Sequence, residues 1–126
     1  VHGSKAFGPK PHDYNKKVNK KVKQHARRSI LSQKVSEKNF IILDNIVPKS
    51  PKTSEFSELL KNLKLDGKKV TVLTSKMEEN LYLGSRNIKN ICVVPAQSAS
   101  AYDLLDCQMI LADEASIEIL NNQLSK

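Results

Sequence analysis

Short apolar runs alternate with helical patterns from residue 39 onward. Four runs of three or four mostly apolar residues, rich in Val and Ile, have the length and composition of strands. Between them, apolar residues recur at helical spacing, and turn residues such as Asp66-Gly67 and Pro95 separate the two kinds of segment. The predicted strands are residues 40–43, 70–73, 91–94 and 109–111.

This alternation predicts an α/β fold. Strands separated by helices favour right-handed crossovers, which produce a four-stranded parallel sheet covered on both faces, a three-layer α/β/α arrangement. The first run, Phe40-Ile41-Ile42-Leu43, is apolar throughout, which is typical of a strand buried on both faces. Thr53 is predicted to cap the first helix after it, and Asp113 the last, with two shorter helices at residues 78–84 and 100–106.

The amino-terminal third follows a different pattern. Glycine and proline interrupt residues 1–12 too often for a helix or strand, so this segment is predicted to be an extended basic arm. Residues 13–126 are predicted to form a single α/β domain that opens with a helix over residues 13–35, capped by Asp13. Its apolar positions recur every four residues and are expected to face the core, and they are Tyr14, Val18, Val22, Ala26 and Ile30. For Tyr14 the alternative is stacking on a nucleic-acid base.

Charge is distributed unequally along the chain. The net charge of +8 separates into +9 over residues 1–38, which hold eleven bases and two acids, and −1 over the remainder. Hardly any acid is placed to pair with these bases along the helix, so phosphates of a nucleic acid are the expected counter-charge. The predicted phosphate contacts are Lys10, Lys16, Lys17, Lys20, Lys21, Arg27 and Arg28.

The sequence contains no recognisable catalytic, cofactor or metal site. Only four glycines are present, so no glycine-rich loop can cradle a dinucleotide, and His2, His12 and His25 all lie outside the predicted sheet. Cys92 and Cys107 lie among apolar residues and are predicted to be buried and reduced. We therefore expect no enzyme activity and no cofactor. The alternative, a small α/β enzyme or nucleotide-binding module, requires polar groups to converge at the strand ends.

Five segments resemble the bacterial-type family of large-subunit ribosomal protein four. Residues 7–14, FGPKPHDY, are similar to the family's FGPKPRDY, with His12 at the arginine position. The basic stretch 16–32 resembles the family's basic helix, although His25 stands where leucine is common. Further likenesses are Pro51-Lys52-Thr53, the stretch from Asn80 to Ile88, and Tyr102-Asp103-Leu104-Leu105. The resemblance is to the globular domain, without the family's amino-terminal part and long loop, and because the chain opens on Val1 we expect residues to precede it.

The resemblance implies a structural component of the large ribosomal subunit, located in the cytoplasmic ribosome. Expected partners are large-subunit ribosomal RNA and neighbouring ribosomal proteins, with no membrane, and some members also repress their own operon by binding its messenger RNA. Arg86 lies in a matching motif, where an RNA contact and a role in a turn both fit. Together with the charge pattern, this adds to the predicted RNA-binding residues Lys5, His12, Lys23 and Arg86.

Overall fold

The computed structural model describes residues 6–125, which form four strands and five helices in alternation. In chain order these are α1 (Lys20–Ser36), β1 (Phe40–Leu43), α2 (Thr53–Asn62), β2 (Val70–Thr74), α3 (Glu79–Ser85), β3 (Ile91–Pro95), α4 (Ala101–Leu105), β4 (Met109–Asp113) and α5 (Glu114–Leu124). None of the helices in this range is long and apolar enough to cross a membrane.

All four strands pair in parallel in one sheet, as predicted. The order across the sheet is β1-β4-β2-β3, with Phe40 opposite Ile110 and Val70 opposite both Met109 and Ile91. The last strand in the sequence is thus inserted between the first two. Such an order requires helical crossovers, and each connection between successive strands contains one helix.

Two hydrophobic clusters show that the sheet is covered on both faces. One cluster joins Phe56 of α2 and Leu81 of α3 to Val72 and Leu111 of the central strands. The other joins Leu104 of α4 and Leu120 of α5 to the opposite face, with residues of α1 packed against it. Helices α2 and α3 therefore form one outer layer, and α1, α4 and α5 form the other. The predicted three-layer α/β/α arrangement is confirmed.

The prediction that residues 40–43 form a strand buried on both faces is wrong. β1 lies at an edge of the sheet, and Ile42 is 55% exposed. The fully buried strand is β2, although it contains Thr71 and Thr74. Its hydroxyls are satisfied internally, since Thr71 Oγ1 donates to the Asp103 carbonyl at 3.0 Å and Thr74 Oγ1 to that of Lys76 at 2.5 Å.

The helix predicted over residues 13–35 begins instead at Lys20 and ends at Ser36. Its N-cap is Asn19, not Asp13, and residues 8–19 have no regular secondary structure. The predicted apolar stripe also fails to face the core, because Tyr14 is 81% exposed and Val18 and Val22 are about half exposed. Only its last member reaches the core: Ile30, together with the neighbouring Leu31, packs on the second cluster. The division into an arm over 1–12 and a domain over 13–126 stays a prediction.

The predicted caps differ in outcome. Thr53 is the first residue of α2, and the N-cap position belongs to Lys52, which makes no side-chain cap. Asp113 caps α5 as predicted, because its carboxylate accepts from the Ser116 amide at 2.8 Å. Ser100 caps α4 in a reciprocal capping box with Asp103.

Candidate nucleic-acid interface

Residues 8–19 form an exposed basic segment ahead of α1. The predicted RNA contacts Lys10, His12, Lys16 and Lys17 lie in it, and every residue of the segment is exposed. His12 Nδ1 lies 2.9 Å from the Lys10 carbonyl oxygen, and its ring centroid is 4.3 Å from that of Tyr14. Exposed aromatic rings among lysines are typical of surfaces on which unpaired bases stack. The prediction that Tyr14 packs in the core is wrong.

The predicted basic contacts of α1 differ in position. All but Arg27, which is half-buried, are exposed, and Arg28 lines a groove with Asn121. Lys20, Lys23 and Arg27 line a groove of about 440 Å³ between α1 and the carboxyl-terminal turn of α5, together with Gln24, Asn122 and Gln123. The three amides were not among the predicted site residues. Their signal in the sequence is the Asn121-Asn122-Gln123 run at the end of the last helix.

Amide hydrogen bonds hold α1 against the rest of the domain. Gln24 Nε2 donates to the Gln123 carbonyl at 3.0 Å, and Gln123 Nε2 donates to the Gln97 carbonyl at 3.1 Å. Near the other end of the helix, Lys34 is buried and its Nζ donates to the Cys107 carbonyl at 2.5 Å. The basic helix is thus fixed at two points, so its lysines and arginines project from a defined position.

The bases of the segment and of α1 have no acidic partners within the described chain. The single ion pair among residues 6–125 joins Lys69 Nζ to Asp106 at 2.7 Å, away from this surface. The first turn of α1 contains no acid, and Asn19 makes no side-chain cap to its amides. The positive end of the helix dipole therefore adds to the charge of the lysines. An arrangement of this kind attracts anions.

Two predicted contacts stand apart from this surface. Arg86 is the C-cap of α3, with its Cζ 5.8 Å from the centre of the Tyr82 ring. Because α3 covers the sheet face opposite α1, the structure does not bring Arg86 together with the other predicted residues. Lys5 lies outside the described residues.

Polar groups at the carboxyl ends of the strands are occupied by structural hydrogen bonds. The Asp113 carboxylate accepts from both the amide and the hydroxyl of Ser75 at 3.1 Å, and from Ser116. Burial alone would raise the pKa of Asp113, but these hydrogen bonds outweigh it and hold the pKa below its usual range. The side-chain oxygen of Asn45 accepts from the Val47 amide. These groups tie loops together, which gives no support to an enzyme site at this edge.

The cysteines differ in environment. Cys107 is buried, as predicted, but Cys92 on the edge strand β3 is exposed, contrary to prediction. Val94, on the same face of β3, packs against the second cluster, so Cys92 is exposed because the helices of that layer do not cover it at the edge of the sheet. Both thiols are free. Within residues 6–125, no three His, Cys, Asp or Glu side chains are grouped closely enough to hold a metal ion.

Comparison with known proteins decides the family. The sequence model described as "Ribosomal protein L4/L1 family" matches residues 1–123. The chain belongs to this family. A large ribosomal subunit protein uL4 from Prosthecochloris aestuarii is 40% identical over 123 residues, covering 98% of the chain and 59% of the relative. The protein of the same name from Halothermothrix orenii is 40% identical over 126 residues, covering 100% and 60%.

The chain therefore spans about three fifths of the length of these curated relatives. A third relative named large ribosomal subunit protein uL4, from Phocaeicola vulgatus, is 38% identical over 125 residues and is covered to the same extent, 60%. The match extends across the basic segment, α1 and the sheet. The resemblance inferred from five short segments is confirmed along almost the whole chain.

Proposed function

We propose that this chain is a structural part of the large ribosomal subunit that binds large-subunit ribosomal RNA through residues 8–19 and α1. One observation carries the proposal: the bases of this region have no acidic partner in the described chain, in a member of a ribosomal protein family. Their mutual repulsion is relieved when phosphates neutralise them. The protein acts in the cytoplasmic ribosome, beside neighbouring ribosomal proteins, and not as an enzyme.

Different residues make different kinds of contact in this proposal. Lysine and arginine side chains bind phosphates, which position the protein without specifying sequence. Tyr14 and His12 offer ring faces to unpaired bases. Arg86, on the opposite layer, makes a separate contact to another part of the RNA. The phosphate contacts are Lys5, Lys10, Lys16, Lys17, Lys20, Lys21, Lys23, Arg27 and Arg28.

The salt dependence of RNA binding tests this proposal. Each phosphate contact contributes roughly 0.7–0.9 to the slope of log affinity against log salt. Replacing Lys20 and Lys21 together by Ala should therefore lower the slope by about 1.5 for a transcript of bacterial large-subunit ribosomal RNA. The control replaces Lys61 and Lys68, which are exposed near the end of α2 and before β2. Equal changes in slope from the two double variants would refute a localised RNA surface.

The same surface is proposed to bind the protein's own messenger RNA in a regulatory role. Phosphate contacts do not distinguish one folded RNA from another, so a leader transcript should compete with ribosomal RNA for the protein. In the Lys20→Ala, Lys21→Ala double variant, the leader transcript should no longer compete with ribosomal RNA for the protein. A leader transcript that binds this variant as tightly as the parent protein would show that regulation uses another surface.

A further inference from the structure

The groove between α1 and α5 combines charge with neutral amides. Lys20, Lys23 and Arg27 line one wall, and Asn122 and Gln123 line the other. No acid is among the lining residues. Arg28 lines a second groove between the same helices, beside Asn121, and the other exposed bases of this region lie in the segment 8–19 or on the outer face of α1.

The hydrogen bonds around the groove limit which groups remain for a ligand. Gln24 and Gln123 each donate one amide N–H to a carbonyl within the domain, which fixes the orientation of both side chains. Asn122 is exposed, so its amide faces solvent with both a donor and an acceptor available. A carboxamide with this freedom can pair with the edge of a base, as asparagine does with adenine.

We propose that this groove binds one unpaired nucleotide of the RNA, its phosphate between Lys20, Lys23 and Arg27 and its base edge against the Asn122 amide. The phosphate lies beside the uncapped amino terminus of α1, whose amides add to the attraction. The groove thus supplies base recognition, whereas the remaining basic residues supply only position. This inference rests on the proposed binding of ribosomal RNA and assigns part of it to one site.

A purely structural interpretation is that Lys20, Lys23 and Arg27 stabilise the carboxyl terminus of α5 by their positive charge. That helix has no basic residue in its own last turn, and cations near a helix carboxyl terminus stabilise it. In that case Arg27→Gln lowers the midpoint of thermal unfolding and leaves RNA affinity unchanged. The two interpretations therefore differ in which measurement responds.

The test compares two exposed asparagines near helix carboxyl ends. Asn122→Ala removes the groove amide, and Asn62→Ala is the matched control, because Asn62 is the last residue of α2, in the helix layer on the opposite face of the sheet. Affinity is measured at several salt concentrations for the ribosomal RNA transcript that the parent protein binds best. We expect Asn122→Ala to weaken binding roughly tenfold with the same salt slope, since a neutral group is lost. Asn62→Ala should bind as the parent does.

Arg27→Gln completes the design. It should weaken binding and also lower the salt slope, because a phosphate contact is lost. If Arg27→Gln weakens binding and Asn122→Ala does not, the groove holds phosphate alone and the base contact is wrong. If neither variant changes affinity, the groove is structural and the inference fails. If the parent protein itself binds no ribosomal RNA transcript, the proposed function fails, and that result is separate from the other two.

Discussion

Polar groups in the two parts of the chain find their partners in different places. In residues 39–125, carboxylates are used within the fold: Asp113 binds Ser75 and Ser116, Asp103 binds Ser100, and Glu55 binds Ser50. In residues 6–38, ten lysines and arginines face two acids, and no ion pair forms among them. In residues 39–126 bases and acids nearly balance, and the amino-terminal part carries the excess positive charge. In the proposed function, phosphates from outside the chain balance that excess.

One basic residue of the amino-terminal part, Lys34, has its partner within the fold. Lys34 lies in α1 with the other bases, but its ammonium group is buried against the Cys107 carbonyl. A buried charge is tolerated only when it is hydrogen-bonded, and this bond joins α1 to the end of α4. Lys34 thus stabilises the fold and is not part of the exposed basic surface.

Replacing a core residue should produce the largest change in the free energy of unfolding. It should also distinguish the sheet domain from the amino-terminal part most clearly. Phe56 is fully buried between α2 and the sheet, so Phe56→Ala should lower the free energy of unfolding by about 3–5 kcal/mol. Val18→Ala, in the exposed segment, should change it by less than about 0.5 kcal/mol. Denaturant unfolding measures both. A comparable loss in the two variants would mean that the basic segment is part of the core.

Lys34→Met sharpens the comparison within α1. The substitution keeps the length of the side chain but removes the charged donor to Cys107, which should cost roughly 1.5–3 kcal/mol of unfolding free energy. Lys21→Met on the exposed face of the same helix should cost less than about 0.5 kcal/mol. RNA affinity should respond in the opposite order, so that Lys21→Met weakens RNA binding more than Lys34→Met does. Loss of RNA affinity in Lys34→Met without loss of stability would place Lys34 on the binding surface.

Strand positions were predictable from sequence, but strand order was not. Each apolar run forms a strand because its backbone must pair within the core, and the runs at 40–43 and 70–73 were both located. Which of them lies in the centre depends on the crossovers that bring β4 between β1 and β2. Composition pointed the wrong way, since Phe40-Ile41-Ile42-Leu43 is the more apolar run and lies at the edge. The hydroxyls of β2 find partners only after the chain has folded.

The basic surface was predictable in content but not in geometry. Net charge depends only on sequence, and the exposed lysines of residues 8–21 were all identified. The start of α1 was missed because positions spaced by four were taken as one face. A helix turns about 100° per residue, so a spacing of four drifts by roughly 40° at each step. From Tyr14 to Ile30 the stripe would leave the core face, and the inward side is instead formed around Gln24, Arg27 and Leu31. The groove with α5 joins residues about a hundred positions apart, so nothing local in the sequence pairs Gln24 with the Asn121-Asn122-Gln123 run.

Hydrogen exchange on the free protein tests the smallest expected effect, the free energy of ordering residues 8–19. No backbone amide of residues 8–19 donates to another backbone group of the described chain, and Phe7 is fully exposed. Ordering costs about 1–2 kcal/mol per residue, and exposed side chains offer little burial to offset it. These amides should therefore exchange as in an unstructured peptide while those in the middle of α1 are protected. Adding the ribosomal RNA transcript should slow exchange over residues 8–19, because contacts with phosphates and bases then offset the ordering cost. Protection of this segment without RNA would show that the sheet domain orders it, and the dependence on an external counter-charge would be wrong.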